Sequence, residues 1–83
     1  MIENLSPRHY YQDLLHAGWI DSWRSRDPET REFTWTSNRT ENRFRYDQIL
    51  ASTDMDARFR RVSYDHAARL AKYSDHSLII AHI

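Results

Sequence analysis

Apolar positions fall at two periods along this chain, and the change of period divides it. Tyr10, Tyr11, Leu14 and Leu15 recur at helical spacing. Ser6 ahead of Pro7 reads as an N-cap followed by a proline at the first helical position. Gly18, the single glycine, stands where a left-handed residue ends such a helix. The pattern predicts a helix over 7–17. Trp19 to Arg24 reads as a packed turn in which Asp21 or Ser22 caps a short second helical turn. The polar stretch Asp27 to Glu32 holds the second proline and reads as a loop. Beyond it the period shortens. Phe33-Thr34-Trp35-Thr36 alternates bulky and polar groups, as a strand does. Ser37 to Arg43 is a polar loop. Arg45 to Ser52 is the next predicted strand, with Tyr46 and Ile49 or Leu50 facing inward. Asp54 to Arg58 is a connection of about one helical turn. Phe59 to Tyr64 alternates as a strand, His66 to Tyr73 is ambiguous with some helix propensity, and Ser77 to Ile83 closes the chain as a strand.

The elements sum to an α+β class: one N-terminal helix packed on a mostly antiparallel sheet of about four strands. The 83 residues make a single domain, 1–83. At this size only about 60–65% of the unfolded surface is buried, so the stability margin is thin. Three Trp, five Tyr and three Phe are the expected core material. Leu78-Ile79-Ile80-Ala81 is apolar on both faces, a pattern suited to the middle of a larger sheet than this chain supplies.

Composition narrows the chemistry. There is no cysteine, hence no disulfide and no thiolate metal site. No HxxxH or HExxH spacing offers a zinc site. Zero formal net charge argues against a strongly basic nucleic-acid module. The cations are nearly all arginine, however, with Lys72 the single lysine. Six of the arginines lie from Arg39 to Arg61 against four acids, a mild local excess. They are either phosphate or carboxylate readers or a solvated, ion-paired surface. No apolar run approaches a membrane span, and the first residues lack a secretory pattern, so a cytoplasmic setting is expected.

One constellation stands out. Ser74-Asp75-His76 precedes the final apolar run, and Asp47 lies at the mouth of the preceding apolar stretch Ile49-Leu50-Ala51. Two such strands side by side bring Asp47 against His76, and a carboxylate that holds an imidazole fixes its tautomer and raises its basicity. The plainer alternative is a capping Asp75 and a hydrogen-bonded histidine at a strand start. Asp65-His66 is a second Asp-His pair without an apolar strand behind it and reads as a turn.

Four segments, taken in order, resemble the endonuclease/exonuclease/phosphatase superfamily. Gly18-Trp19-Ile20-Asp21-Ser22-Trp23-Arg24 is similar to its G-hydrophobic-hydrophobic-D-x-x-R segment. Thr34-Trp35-Thr36-Ser37-Asn38-Arg39 is similar to its T-W-x-S-x-R strand. Phe44-Arg45-Tyr46-Asp47-Gln48-Ile49-Leu50 is similar to its W-R-hydrophobic-D-hydrophobic strand, with Phe44 in the tryptophan's place, and Ser74-Asp75-His76-Ser77 is similar to its closing S-D-H-x motif. The exonuclease III and abasic-site endonuclease branch is the nearest subgroup. The resemblance implies the C-terminal part of a four-layer α/β sandwich and metal-dependent hydrolysis of phosphoesters, with Mg²⁺ or Mn²⁺ as cofactor, nucleic acid or another phosphoester as substrate, and a place in DNA repair. It further implies that His76 contacts the scissile phosphate as general acid/base or transition-state stabiliser, that Asp75 lies near the metal, and that Asp47 hydrogen-bonds His76. Phe44 stands where the abasic-site enzymes have a tryptophan against the sugar pocket. Arg39, Arg43 and Arg45 become candidates for phosphate or nucleic-acid contact.

The family's Gly-Asp-x-Asn motif is absent, since Gly18 is followed by Trp19. Glu3, Glu29, Glu32 and Glu41 sit in the wrong contexts for the family's metal-binding glutamate. One aspartate is a poor Mg²⁺ site. The expectation is therefore a partial domain that supplies the Asp-His half of a site, is inactive alone, and meets a missing N-terminal half or self-associates. The alternative is a non-catalytic interaction or nucleic-acid-binding module derived from the same fold.

Overall fold

The computed structural model describes residues 7–37 and 39–83. Helix α1 spans Pro7–His16. The expected Ser6 cap lies outside the described residues. Gly18 ends the helix at φ 99°, with its N–H donating to the Leu15 carbonyl at 3.1 Å and that of Trp19 to Leu14 at 3.1 Å. A Cβ at this position meets nothing within 4 Å, so the cost of one is conformational only. Gly18→Ala is expected to destabilise the chain by about 1–2 kcal/mol through the left-handed φ alone, read as a lower urea midpoint with unchanged slope.

Strand β1 (Ile20–Asp21) leads straight into α2 (Ser22–Arg26), whose N-cap is Asp21: its Oδ1 accepts the Arg24 N–H at 3.1 Å. The cap prefers aspartate because the free N–H groups of a first helical turn need an acceptor. The loop expected over 27–32 runs on to residue 34, and the strand predicted over 33–36 shortens to its last two residues. Strands β2 (Trp35–Thr36) and β3 (Arg43–Phe44) pair antiparallel, Trp35 opposite Phe44. Strand β4 (Leu50–Ala51) pairs back to β1. Helix α3 (Thr53–Asp56) is the expected single turn, capped by the Ser52 hydroxyl. Strand β5 (Arg61–Asp65) pairs antiparallel with β6 (Leu78–His82), and α4 (Ala67–Leu70) resolves the ambiguous stretch between them as one helical turn.

The α+β class and the antiparallel pairing hold, but the strands associate two by two, as β1–β4, β2–β3 and β5–β6. The predicted strand 45–52 shortens to Leu50–Ala51. The reason is local: the amides of Tyr46 and Asp47 donate to the Thr34 hydroxyl, at 2.9 and 3.2 Å, instead of to a neighbouring strand. The aromatic core also contracts. Among the described residues Trp23, Ala51 and Val62 are the buried apolar ones, while Tyr10, Trp19, Phe44, Tyr46 and Tyr73 are exposed. Tyr46, expected inward, is 52% exposed. The other buried positions are polar: Asp21, Ser22, Thr34 and Ser77. Strand β6 has β5 on one side and no second partner among the described residues, and Leu78 and Ile80 stay exposed. Burial of β6 on both faces is not met among the described residues.

Candidate active site

The centre of the molecule is a buried ion pair. Asp21 Oδ2 lies 2.6 Å from Arg45 Nη2, with side chains only 4% and 13% exposed. Tyr11 donates its hydroxyl to the same carboxylate oxygen at 2.6 Å. The Arg45 guanidinium also donates to the Tyr64 hydroxyl at 3.2 Å and lies over the Trp23 ring at 5.5 Å. Burial by itself pushes the Asp21 carboxyl up, but hydrogen bonds from Arg45, Tyr11 and the Arg24 amide together hold it below the usual carboxylate range. Burial likewise disfavours the Arg45 cation, and its bonds to Asp21 and Tyr64 outweigh this and raise its pKa. Arg45 is thus spent inside the fold. Arg45, a candidate for phosphate contact, directs its Nη1 and Nη2 donors to Tyr64, Tyr11 and Asp21.

From this pair a chain of contacts leads outward. Tyr64 donates its hydroxyl to the Asp47 carbonyl at 2.7 Å. Asp47 Oδ2 then lies 2.7 Å from His76 Nδ1. The two residues are 29 positions apart in sequence, and the fold brings them together where β2 meets the start of β6. The Ser77 amide donates to the Thr34 carbonyl at 2.9 Å, and His76 makes an antiparallel bridge to Trp35. With Asp47 accepting from Nδ1–H, the other ring nitrogen, Nε2, has no partner among the described residues. It is the atom open to outside chemistry: a proton acceptor when neutral, a donor to an anionic oxygen when charged. The His76 side chain is 46% exposed.

An aromatic wall flanks the pair. Phe44 and Tyr46 stack at 5.1 Å with their planes 7° apart, and Trp35 leans on both, 5.5 Å from Tyr46 and 6.1 Å from Phe44. All three stand in the family-like motifs, but the resemblance places only Phe44 against a sugar pocket; Trp35 joins it because β2 and β3 pair in this register, and Tyr46 because its amide is held by the Thr34 hydroxyl. On another side lies an open cavity of about 450 Å³, lined by Trp35, Thr36, Arg69, Lys72, Ser74 and Asp75. Asp75 is exposed beside His76 and opens on that cavity. Arg39 and Arg43 are exposed on the β2–β3 hairpin, Arg43 with its guanidinium 5.8 Å from the Phe33 ring centre.

Where a turn was expected, Asp65 is the last residue of β5 and His66 the N-cap of α4, with Asp65 Oδ1 accepting the Ala67 amide at 2.9 Å. The histidine itself does more than turn. His66 Nε2 lies 2.8 Å from Glu32 and Nδ1 2.5 Å from the buried Ser77 hydroxyl, which also accepts Arg69 Nε–H at 2.8 Å. This network braces the residue after His76. Nothing in the local sequence around Glu32, Thr34, Tyr64 or Ser77 marks these roles, since each depends on a partner brought in by the fold.

The metal expectation meets a shortage of ligands. Among the described residues no group of three or more His, Asp or Glu side chains gathers to hold an ion. Asp75 offers one carboxylate where Mg²⁺ takes near-octahedral oxygen. These residues by themselves do not fit a metal centre.

A small α+β unit with an Asp-His pair at a strand mouth, a buried Asp-Arg pair behind it and an aromatic wall beside it defines the class. No family model and no curated protein matches the chain. Among solved structures it is similar to that of a 3′ phosphatase, NExo (D146N) from Neisseria, bound to product DNA hairpin. The TM-score is 0.79 and the identity 33%, over 92% of this chain and 32% of that one. The likeness to this exonuclease III-like member of the endonuclease/exonuclease/phosphatase superfamily agrees with the resemblance carried by the four sequence motifs. The chain spans about a third of the length of the structure it matches.

Proposed function

We propose that this chain is the Asp-His-bearing portion, a single partial domain over 1–83, of a metal-dependent phosphoesterase that hydrolyses phosphoester bonds of nucleic acid. The observation that carries the reading is the 2.7 Å contact between Asp47 and His76 Nδ1, which leaves Nε2 facing outward. Asp47 keeps the imidazole turned and stabilises its charged form, and His76 Nε2 exchanges a proton with a phosphoryl or leaving-group oxygen. Trp35, Phe44 and Tyr46 form a wall for a base or sugar, and Arg39 and Arg43 meet backbone phosphates. Asp75 contributes to a Mg²⁺ or Mn²⁺ site whose other ligands come from outside this chain. The Neisseria protein, a 3′ phosphatase bound to product DNA, supports a nucleic-acid substrate. The uncovered Leu78 and Ile80 on β6, with Leu70 and Ile83, support association with the rest of such a domain or with a second copy.

The test uses a DNA hairpin carrying a 3′-phosphate. The 83-residue chain alone, with Mg²⁺ or Mn²⁺, is expected to release no phosphate above the buffer rate. Grafted in place of the C-terminal third of the Neisseria phosphatase, it is expected to restore turnover. A folded chimera without turnover overturns the reading. Turnover by the isolated chain that EDTA and His76→Ala both abolish overturns the claim that it is inactive alone. Salt-dependent hairpin binding by the isolated chain, unchanged by His76→Ala and joined to an inert chimera, favours the non-catalytic binding module instead.

A further inference from the structure

We infer that Thr34 is the positioning residue for the Asp47–His76 pair, an assignment that rests on the reading of that pair given above. Neither member is held by burial of its own side chain: Asp47 is 34% and His76 46% exposed. Their geometry therefore comes from the backbone, and both backbones are fastened to Thr34, whose residue is fully buried at 0% exposure. Its hydroxyl oxygen accepts the amides of Tyr46 and Asp47 at 2.9 and 3.2 Å. Its carbonyl accepts the Ser77 amide at 2.9 Å, fixing the residue after His76, and its own amide donates to the Phe44 carbonyl at 2.9 Å. Tyr64 holds the Asp47 carbonyl, and the His66–Arg69 network braces Ser77, but each reaches one half only. Thr34 bonds to both halves. The side chain matters because a valine of nearly the same shape keeps the packing and the main-chain bonds while removing the acceptor for two amides, which leaves them unpaired. The Asp47 segment then loses its anchor and the carboxylate its fixed distance to Nδ1.

The readout is the tautomer of His76, followed by ¹⁵N imidazole NMR on the full chain at about pH 8, where a free imidazole is neutral. The chain as it stands is expected to hold the Nδ1–H form, since the ring nitrogen bearing the proton is set by its hydrogen-bond partner. Thr34→Val, folded, is expected to pass mostly to the Nε2–H form favoured by an untethered ring, and Thr34→Ser, which restores the acceptor, to keep Nδ1–H. A folded Thr34→Val that retains Nδ1–H overturns the assignment while leaving the Asp47–His76 pair intact. Retention of Nδ1–H in Asp47→Ala overturns the pair itself and the assignment with it. Should Thr34→Val not fold, amide exchange of the unsubstituted chain decides. Tyr46 and Asp47 amides slowed by roughly tenfold or more against unstructured rates support the clip, and exchange at unstructured rates overturns it.

Discussion

Asp21→Asn is expected to cost about 3–5 kcal/mol, enough to unfold much of a domain this small at neutral pH. Asparagine keeps an oxygen for the Arg24 amide, so the α2 cap survives. What it removes is the charge opposite Arg45, which is 13% exposed and touches Asp21 at 2.6 Å. An unpaired buried guanidinium is the costly outcome, more so than the loss of the pair as a pair. The expected signature follows in a double-variant cycle. Arg45→Met alone also destabilises, by leaving Asp21 unpaired, but Asp21→Asn with Arg45→Met is expected to recover part of the loss. Urea unfolding followed by the combined tryptophan fluorescence measures all three. A shift under about 1 kcal/mol in Asp21→Asn contradicts the argument.

The same pair sets an acid limit. The Asp21 pKa is lowered in the folded chain, against an unfolded value near 3.9. The folded state therefore releases this proton more readily, and the stability from Asp21 is fully present above about pH 4. It is lost as pH falls through the lower folded value. At Asp56 burial pushes the carboxyl up but the Arg26 guanidinium, 2.6 Å away, holds it down, so it acts with the same sign. At the other end, burial raises the Tyr11 and Tyr64 hydroxyls, so their contribution holds below about pH 10 and declines as pH rises further.

Features decided by neighbours in sequence were legible from it. Gly18 ends α1 and Asp21 caps α2 because each needs only the next few amides. The contact of Asp47 with His76 was legible too, since each stands at the mouth of an apolar run. Features decided by a distant partner were not. Arg45 in a string of arginines gives no sign that its acid is Asp21, 24 residues earlier. Tyr46 alternates like an inward strand residue, yet its amide is taken by a threonine hydroxyl and its ring turns out to stack on Phe44. Ser77 and His66 carry no local mark of the bonds they share. The apolar Leu78-Ile79-Ile80 run was read correctly as a strand, but no second strand or helix among the described residues covers Leu78 and Ile80.

In the chimera, His76→Ala is expected to lower phosphate release by about 10²–10⁴-fold, the range for removing a positioned acid/base group. Asp47→Ala is expected to lower it by less than His76→Ala, because the imidazole remains and only its orientation and charge stabilisation are lost. The two effects are expected not to multiply. Asp47 acts on the reaction through His76 Nδ1, 2.7 Å away, so once the ring is gone the carboxylate has nothing left to orient. The double variant should match His76→Ala within about threefold. Losses that multiply mean that Asp47 acts on the substrate or metal directly, and the pair is then two independent groups.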